Sequence, residues 1–170
     1  MRGLKVYLRA LEPTDLPTLY EWENDLDNWL ISSTFAPFSA YVLKQFIENP
    51  QDIYINHQLR LMVVELATGN TVGAVDIFDF DPAHHRAGIG ILISPAARHQ
   101  GFATEAVALT KKYVFQVLHL HQIYCNILAD NDLSLRLFQH SGFEICGRKR
   151  DWIFNGKRFV DVLLLQCFES

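Results

Sequence analysis

The residues from Arg98 to Thr104 are of types that can hold a phosphate group. Small residues stand at Gly101 and Ala103, and a helical repeat of apolar residues begins near Gly101. A helix N-terminus presents unpaired backbone N–H groups and the positive end of the helix dipole, and small residues let an anion approach that backbone. The spacing is neither that of a Walker loop nor that of the dinucleotide fingerprint. The residues alone leave two interpretations open, an anion-binding loop and an ordinary strand-to-helix turn.

A buried strand must deliver the chain to this loop. The β-branched residues Ile89, Ile91 and Ile93 alternate along a short apolar run, and Pro95 ends that run. The pattern therefore predicts a strand, a short basic loop and a helix in direct succession.

The remaining pattern predicts a mixed sheet. The turn signals Thr68-Gly-Asn70 and Asn155-Gly156 predict antiparallel hairpins. The strands on either side of helix 101–117 need a crossover, which adds one parallel βαβ unit. The predicted strands are 4–10, 60–66, 71–79, 87–93, 122–128, 143–154 and 157–168. The predicted helices are 14–24, 39–48, 101–117 and 131–141.

Composition and charge limit the classes of function. The 170 residues, 49% apolar and 20% charged, suit one domain over 1–170. A net charge of −4 without a Lys/Arg cluster disfavours nucleic acid as a partner and is compatible with a cationic amine. No secretory h-region and no run of about 20 apolar residues is present, which favours a cytoplasmic protein with no membrane partner. The spacing of the cysteines and histidines indicates neither a disulfide framework nor a metal site.

Several segments, in order along the chain, resemble the GNAT superfamily of N-acetyltransferases. Arg98-His-Gln-Gly101-Phe-Ala103 resembles its acyl-CoA pyrophosphate loop, Q/R-x-x-G-x-G/A. Tyr7–Asp15 is similar to its first strand and helix start, and Asn131-Asp-Leu-Ser134 with Ser141-Gly-Phe143 to its N-x-x-S…G-F helix. Phe154–Asp161 resembles the closing hairpin of the branch that contains the spermidine/diamine and ribosomal-protein N-terminal acetyltransferases.

The resemblance implies an α/β fold with a central, mostly antiparallel sheet, one parallel βαβ unit and flanking helices. It also implies acetyl-CoA as the co-substrate, bound where the parallel strands diverge. Ligands of α/β sheets lie beyond the strand C-termini, which favours the same cleft. The expected cofactor-binding residues are Ile91, Leu92, Ile93, Arg98, His99, Gln100, Gly101, Phe102, Ala103, Thr104, Asn131, Ser134 and Phe138.

Transfer of an acetyl group to an amine needs an oxyanion donor, a proton acceptor and a tolerated leaving group. The resemblance implies that a backbone N–H at Leu92 or its neighbours stabilises the oxyanion. The family commonly has a tyrosine acid where this chain has Phe138, and a glutamate where it has Gly88. Asp76 and Asp79 are the remaining candidates for the base. Asp76 has two interpretations, a desolvated base and a solvent-facing strand residue, whereas Asp79 with Asp81, His84 and His85 is expected in a polar turn.

The acceptor cleft is expected to have one wall from residues 20–40, aromatic more than acidic. Trp29 and Phe35 are the expected substrate-binding residues there, together with Asp76 and Asp79. The acidic pair that polyamine enzymes show near Thr34–Pro37 is missing.

The leading hypothesis is acetylation of a small primary amine, such as a diamine or polyamine. Acetylation of a protein N-terminus and a non-catalytic acyl-CoA-binding module are the alternatives. A homodimer that pairs through its C-terminal strand edges is expected by analogy.

Overall fold

The computed structural model describes residues 1–32, 34–49 and 51–169. The chain forms two compact units, one from Met1–Ala10 with Asp52–Ser170 and the other from Leu11–Gln51. The strands are β1 Val6–Ala10, β2 Leu59–Glu65, β3 Thr71–Asp81, β4 Arg86–Ile93, β5 Gln122–Leu128, β6 Glu144–Phe154 and β7 Phe159–Phe168. The helices are α1 Leu16–Glu23, α2 Leu26–Ser32, α3 Ala40–Glu48, α4 Ile53–Asn56, α5 Phe102–Gln116 and α6 Asp132–His140, with 3₁₀ turns at Pro13–Asp15 and Pro95–Ala97.

The larger unit contains a seven-stranded sheet in the order β1-β2-β3-β4-β5-β7-β6. Strands β4 and β5 are parallel, and every other neighbouring pair is antiparallel. The predicted mixed sheet with a crossover through α5 is therefore confirmed. The hairpin turns are also confirmed, with Gly69 at φ +75° and Gly156 at φ +86°, a backbone region that suits glycine.

The core lies on the face of the sheet that α5 covers. Helix α5 contacts β1, β3 and β4, and buries Ala106, Val107 and Val114 against strand residues such as Val75 and Ile77. Side chains alternate between the two faces of a strand, so the strand residues next to Val75 and Ile77 point to the opposite face of the sheet. We call this the second face. It carries Arg60, Asp76, Phe78, Gly88, Gly90 and Tyr124, which are cross-strand neighbours.

The smaller unit is helical, and the sequence predicted only part of it. The predicted helix 14–24 is a 3₁₀ turn followed by α1, since Pro13 and Pro17 interrupt regular N–H bonding. The side chain of Asn24 holds the segment at Phe38, because its amide group donates to Phe38 O at 3.1 Å and accepts from Phe38 N at 2.9 Å. The short helices α2 and α4 were not predicted.

Candidate active site

Strands β4 and β5 separate soon after they meet. Their parallel pairing covers three residue pairs, from Arg86 with Gln122 to Gly88 with Tyr124. Beyond them Ile89–Ile93 and Cys125–Leu128 continue as strands with no mutual register among the described residues. We call this opening the strand gap. It is the divergence at which the sequence analysis expected the acyl group.

The register of β4 on β3 decides which backbone groups face the strand gap. Ser94 N donates to Val72 O at 2.9 Å, in line with the pairing of Ala74 with Leu92. Hydrogen-bonded and non-bonded pairs alternate in an antiparallel ladder, so Leu92 N–H points toward β3. The N–H groups of Ile91 and Ile93 point away from β3, into the gap. Arg98 Nε donates to Ile93 O at 3.2 Å, as that direction requires.

The loop after β4 ends in an uncapped helix. Gly101 is the N-cap of α5 with φ +82°, a conformation that other residues adopt at a cost, and no side chain caps this end. The first helical bond joins Glu105 N to Gly101 O at 3.2 Å. The N–H groups of the preceding residues Phe102, Ala103 and Thr104 consequently have no acceptor within the helix. This donor set suits a pyrophosphate.

The residues just before β1 and its first residue brace this loop, a set of contacts that the sequence did not predict. Lys5 Nζ donates to Gln100 O at 2.9 Å, and a Cβ at Gly101 would lie 3.2 Å from that ammonium group. The Glu105 carboxylate accepts from the N–H groups of Leu4, Lys5 and Val6 at 2.6, 2.7 and 2.9 Å. Burial raises the pKa of Glu105, but these three N–H groups and Lys5 outweigh it and hold that pKa below its ordinary value. The Lys5 ammonium group and the ionised Glu105 carboxylate therefore both lie at the start of α5.

Helix α6 begins at the same edge of the sheet as α5, because each follows one of the parallel strands. Asn131 is its N-cap and accepts from Ser134 N at 3.1 Å, so the N-x-x-S motif closes the helix start. Phe138 is 3% exposed, with its ring edge-on to Phe143 at a centroid distance of 5.0 Å. The structure thus places Phe138 in the core.

Asp76 is held by an ion pair on the second face. Arg60 Nε and Nη2 donate to its two carboxylate oxygens at 2.6 and 2.9 Å. The Asp76 side chain is 39% exposed. Neither sequence interpretation included this guanidinium, which occupies the oxygens that a free base would use.

Asp79 lies within β3, so its expected place in a polar turn is wrong. The turn comprises residues 82–85, and Asp81 is also a strand residue. Asp79 has φ +48° at an irregularity where the register shifts between Phe78 and Asp81. Such a bulge redirects the chain, so that Asp79 meets a side chain from β5.

That side chain is Tyr124, whose hydroxyl donates to Asp79 Oδ2 at 2.8 Å. Burial, and then the hydrogen bond and charge of Asp79, raise the pKa of Tyr124 to about 12. The Tyr124 ring is also edge-on to Phe78 at 6.1 Å. The alternation of buried Ile123, Cys125 and Ile127 was the sequence signal that could have placed Tyr124 on the second face.

Gly88 has a packing reason to be a glycine. A Cβ there would lie 2.6 Å from Phe78 Cζ and 2.7 Å from Cδ2, and closer still to Cε2. The Phe78 ring therefore occupies the space in which a glutamate side chain at this position would begin.

Trp29 and Phe35 belong to the smaller unit. Trp29 Nε1 donates to Glu23 O at 2.8 Å, and Phe35 is 91% exposed. Among the described residues, no group of three or more His, Cys, Asp or Glu could hold a metal ion. None of the helices in the described part of the chain has the length and apolarity needed to cross a membrane.

Comparison with known proteins bears on this arrangement. The model of the acetyltransferase (GNAT) domain matches residues 5–144. The spermidine N(1)-acetyltransferase of Vibrio cholerae serotype O1 is 29% identical over 164 residues, which are 96% of this chain and 92% of the relative.

Solved structures agree with this match. The crystal structure of spermidine N-acetyltransferase from Vibrio cholerae in complex with CoA and spermine has a TM-score of 0.88 and 25% identity, covering 98% of this chain and 96% of that one. A dodecameric structure of the Vibrio cholerae enzyme in an intermediate state has a TM-score of 0.82 and 27% identity, covering 98% and 95%. The seven-stranded sheet, the strand gap and the family match lead to one assignment. The chain belongs to the GNAT family of acetyl-CoA-dependent N-acetyltransferases.

Proposed function

We propose that this protein transfers the acetyl group of acetyl-CoA to a primary amine of a diamine or polyamine. The observation that carries the proposal is the strand gap. The N–H groups of Ile91 and Ile93 point into this gap, and β4 is followed by a helix start that no side chain caps. The spermidine N-acetyltransferases that match nearly the whole chain support the acceptor class. The proposal takes residues 1–170 as one acetyltransferase domain.

The loop and helix start would hold the pyrophosphate of acetyl-CoA. Gly101 leaves room for the phosphates, the N–H groups of Phe102, Ala103 and Thr104 donate, and Arg98 and Lys5 add charge. The pantetheine arm would follow β4 in the strand gap. The remaining proposed contacts are Ile91, Leu92, Ile93, His99, Gln100, Asn131, Ser134 and Phe138.

The register favours Ile91 and Ile93 over Leu92 as the source of the oxyanion donor, since the Leu92 N–H points toward β3. A fixed N–H aimed at the developing oxyanion stabilises the transition state in a water-poor site. This function needs no particular side chain on β4.

The leaving group needs no acid from α6. A thiol with a pKa of about 8.5 departs tolerably as thiolate. The buried Phe138 is therefore compatible with catalysis, and a general acid at this position would add at most about 10²- to 10⁴-fold.

Two carboxylates of the second face, Asp76 and Asp79, are proposed to bind the cationic acceptor. Asp76 reaches the amine together with Arg60 as an ion pair, which suits it to orienting the substrate. Trp29 and Phe35 stay predictions from the sequence, as substrate-binding residues of the smaller unit.

Thiol release from acetyl-CoA, measured with diamines, polyamines, amino acids and N-terminal peptides, tests the proposal. We expect turnover with the diamines and polyamines. Turnover with peptides alone would make the protein an N-terminal acetyltransferase. A rise in melting temperature with acetyl-CoA but no turnover with any amine would indicate a non-catalytic acyl-CoA-binding module.

An oligomer is supported by the dodecameric relative. The outermost strand β6 and its hairpin partner β7 expose Trp152, Phe154 and Phe159, on the edge that the sequence analysis selected for a homodimer contact. The homodimer and the cytoplasmic location stay predictions.

A further inference from the structure

We infer that Asp79, positioned by Tyr124, takes the proton from the ammonium group of the acceptor. The inference rests on the proposed function, because it assigns a role within the same reaction.

The position of Asp79 favours this role. Tyr124 is paired with Gly88 in the last residue pair before β4 and β5 separate. Its side chain crosses the second face of β4 to reach Asp79 on β3 at 2.8 Å. The carboxylate therefore lies beside the closed end of the strand gap, on the face of the sheet opposite α5.

The contacts of Asp79 leave it able to accept a proton. Oδ2 of Asp79 accepts from Tyr124, and no bond to Oδ1 is found among the described residues. The Asp79 side chain is exposed, whereas both oxygens of Asp76 are bound by Arg60. Asp79 consequently has one oxygen free to accept a proton.

The backbone of Asp79 adopts an unfavourable conformation. Asp79 has φ +48°, which is uncommon outside glycine and is tolerated best by Asn and Asp. Strained conformations of this kind concentrate at functional sites. The Phe78 ring fills the space that a side chain at residue 88 of β4 would need, so β4 cannot present a carboxylate there. The bulge in the neighbouring strand β3 supplies one instead, that of Asp79.

Tyr124 is a positioning residue in this scheme. Its high pKa keeps the hydroxyl protonated, so it donates to Asp79 and leaves the carboxylate as the acceptor. Arg86 at the start of β4 acts on Tyr124 by its charge and is itself paired with Asp81 of β3, while the Arg60–Asp76 ion pair lies further along the second face.

The proton balance is complete with these groups. Asp79 removes one proton from the ammonium group, and the neutral nitrogen attacks the thioester carbon. The C–S bond breaks, the thiolate takes the second proton from nitrogen, and Asp79 returns the first to solvent. Three strand residues, about 10 Å, separate Gly88 from the N–H of Ile91, so the proposal requires water molecules in the strand gap to pass the proton from the ammonium group to Asp79.

The experiment compares Asp79→Asn, Tyr124→Phe and the control Asp81→Asn, which removes a neighbouring carboxylate that pairs with Arg86. Asparagine tolerates the positive φ, so the backbone is kept. The acetyl-CoA-dependent rise in melting temperature shows that each variant is folded and binds its co-substrate. The measured quantity is kcat/KM for the best amine of the panel from pH 6 to about pH 10.

For Asp79→Asn we expect a loss of about 100-fold or more at pH 7. That loss should shrink about tenfold per pH unit as free amine becomes available, toward the amine pKa of about 10.4. Tyr124→Phe should lose about tenfold and keep the wild-type shape of the profile, while Asp81→Asn should match the wild type.

Two results would overturn the inference while the proposed function stands. They are an Asp79→Asn profile like that of the wild type, and a loss of equal size at every pH, which would indicate binding without proton transfer. A wild-type protein inert toward every amine would instead overturn the proposed function, and this inference with it.

Discussion

Adding one methyl group at either of two glycines on β4 should have opposite effects. Gly88 and Gly90 lie two positions apart on the second face, and the Phe78 ring is near both. A Cβ at residue 88 would lie within 2.7 Å of three ring carbons, whereas a Cβ at residue 90 would lie 3.8 Å from Phe78 Cε1, an ordinary contact. Neither glycine has a positive φ.

The magnitudes follow from these distances. Gly90→Ala should gain about 0.5–1 kcal/mol, because alanine loses less backbone entropy than glycine in a strand. Gly88→Ala makes the same gain but must displace an aromatic ring packed on Tyr124, and such overpacking costs about 1–3 kcal/mol. The two variants should differ by about 1–3 kcal/mol. At about 2–4 °C per kcal/mol for a domain of this size, the melting temperature of Gly88→Ala should be lower by about 2–12 °C.

Thermal and urea unfolding of both variants beside the wild type would measure this difference. Equal stabilities, or a more stable Gly88→Ala, would refute the packing argument. Activity gives a second readout, because displacing Phe78 also displaces Tyr124. Gly88→Ala should therefore lose turnover, and Gly90→Ala should lose much less.

Three further predictions concern the loop and the thiols. Gly101→Val should raise the Kd for acetyl-CoA, measured by calorimetry, at least tenfold. A side chain at φ +82° costs about 1–2 kcal/mol and crowds the anion site. An unchanged Kd would place the pyrophosphate elsewhere. Glu105→Gln should cost about 1–2 kcal/mol near pH 7 after allowing for solvent. The pKa of Glu105 is lowered in the folded protein, so its carboxylate stabilises the fold above the ordinary pKa of 4.5. This stabilisation is lost as pH falls through the folded pKa, and the free energies of urea unfolding of the wild type and Glu105→Gln should therefore converge in acid. A thiol reagent should modify one cysteine of the folded protein, the exposed Cys146. Cys125 and Cys167 are buried, and burial raises the pKa of Cys125 to about 12. Cys146→Ser should abolish the fast reaction.

The sequence predicted the elements whose patterns are local. The alternation of Ile89, Ile91 and Ile93 predicted β4, and the Asn-Gly turn predicted the final hairpin. The small residue Gly101 at a predicted helix start was the local signal for the loop, and Gly101 is the N-cap of α5. These features depend on residues close together in the chain.

Partners that lie far apart in the chain were not predictable from such patterns. Asp76 is paired with Arg60, and Asp79 is bound by Tyr124, 45 positions away. Both contacts depend on strand register, which a sequence pattern does not specify by itself. The same is true of Glu105, whose hydrogen-bond donors from Leu4 to Val6 are about 100 positions distant.

The short pairing of β4 with β5 can also be seen as an exposed edge inside a sheet. Strands β1 to β4 and strands β5 to β7 form two smaller sheets that, among the residues the structure describes, share three residue pairs. The N–H groups of Ile91 and Ile93 are thus those of an edge strand, open to pairing with any extended molecule that carries amides.

The pantetheine arm of coenzyme A is an extended chain with amide groups. Lying in the strand gap, it would stand where an extra strand would complete the ladder. The co-substrate would then act as part of the fold, and cooperativity between the two smaller sheets should increase as it binds. Amide exchange at β4 and β5, followed with and without coenzyme A, would make that coupling visible.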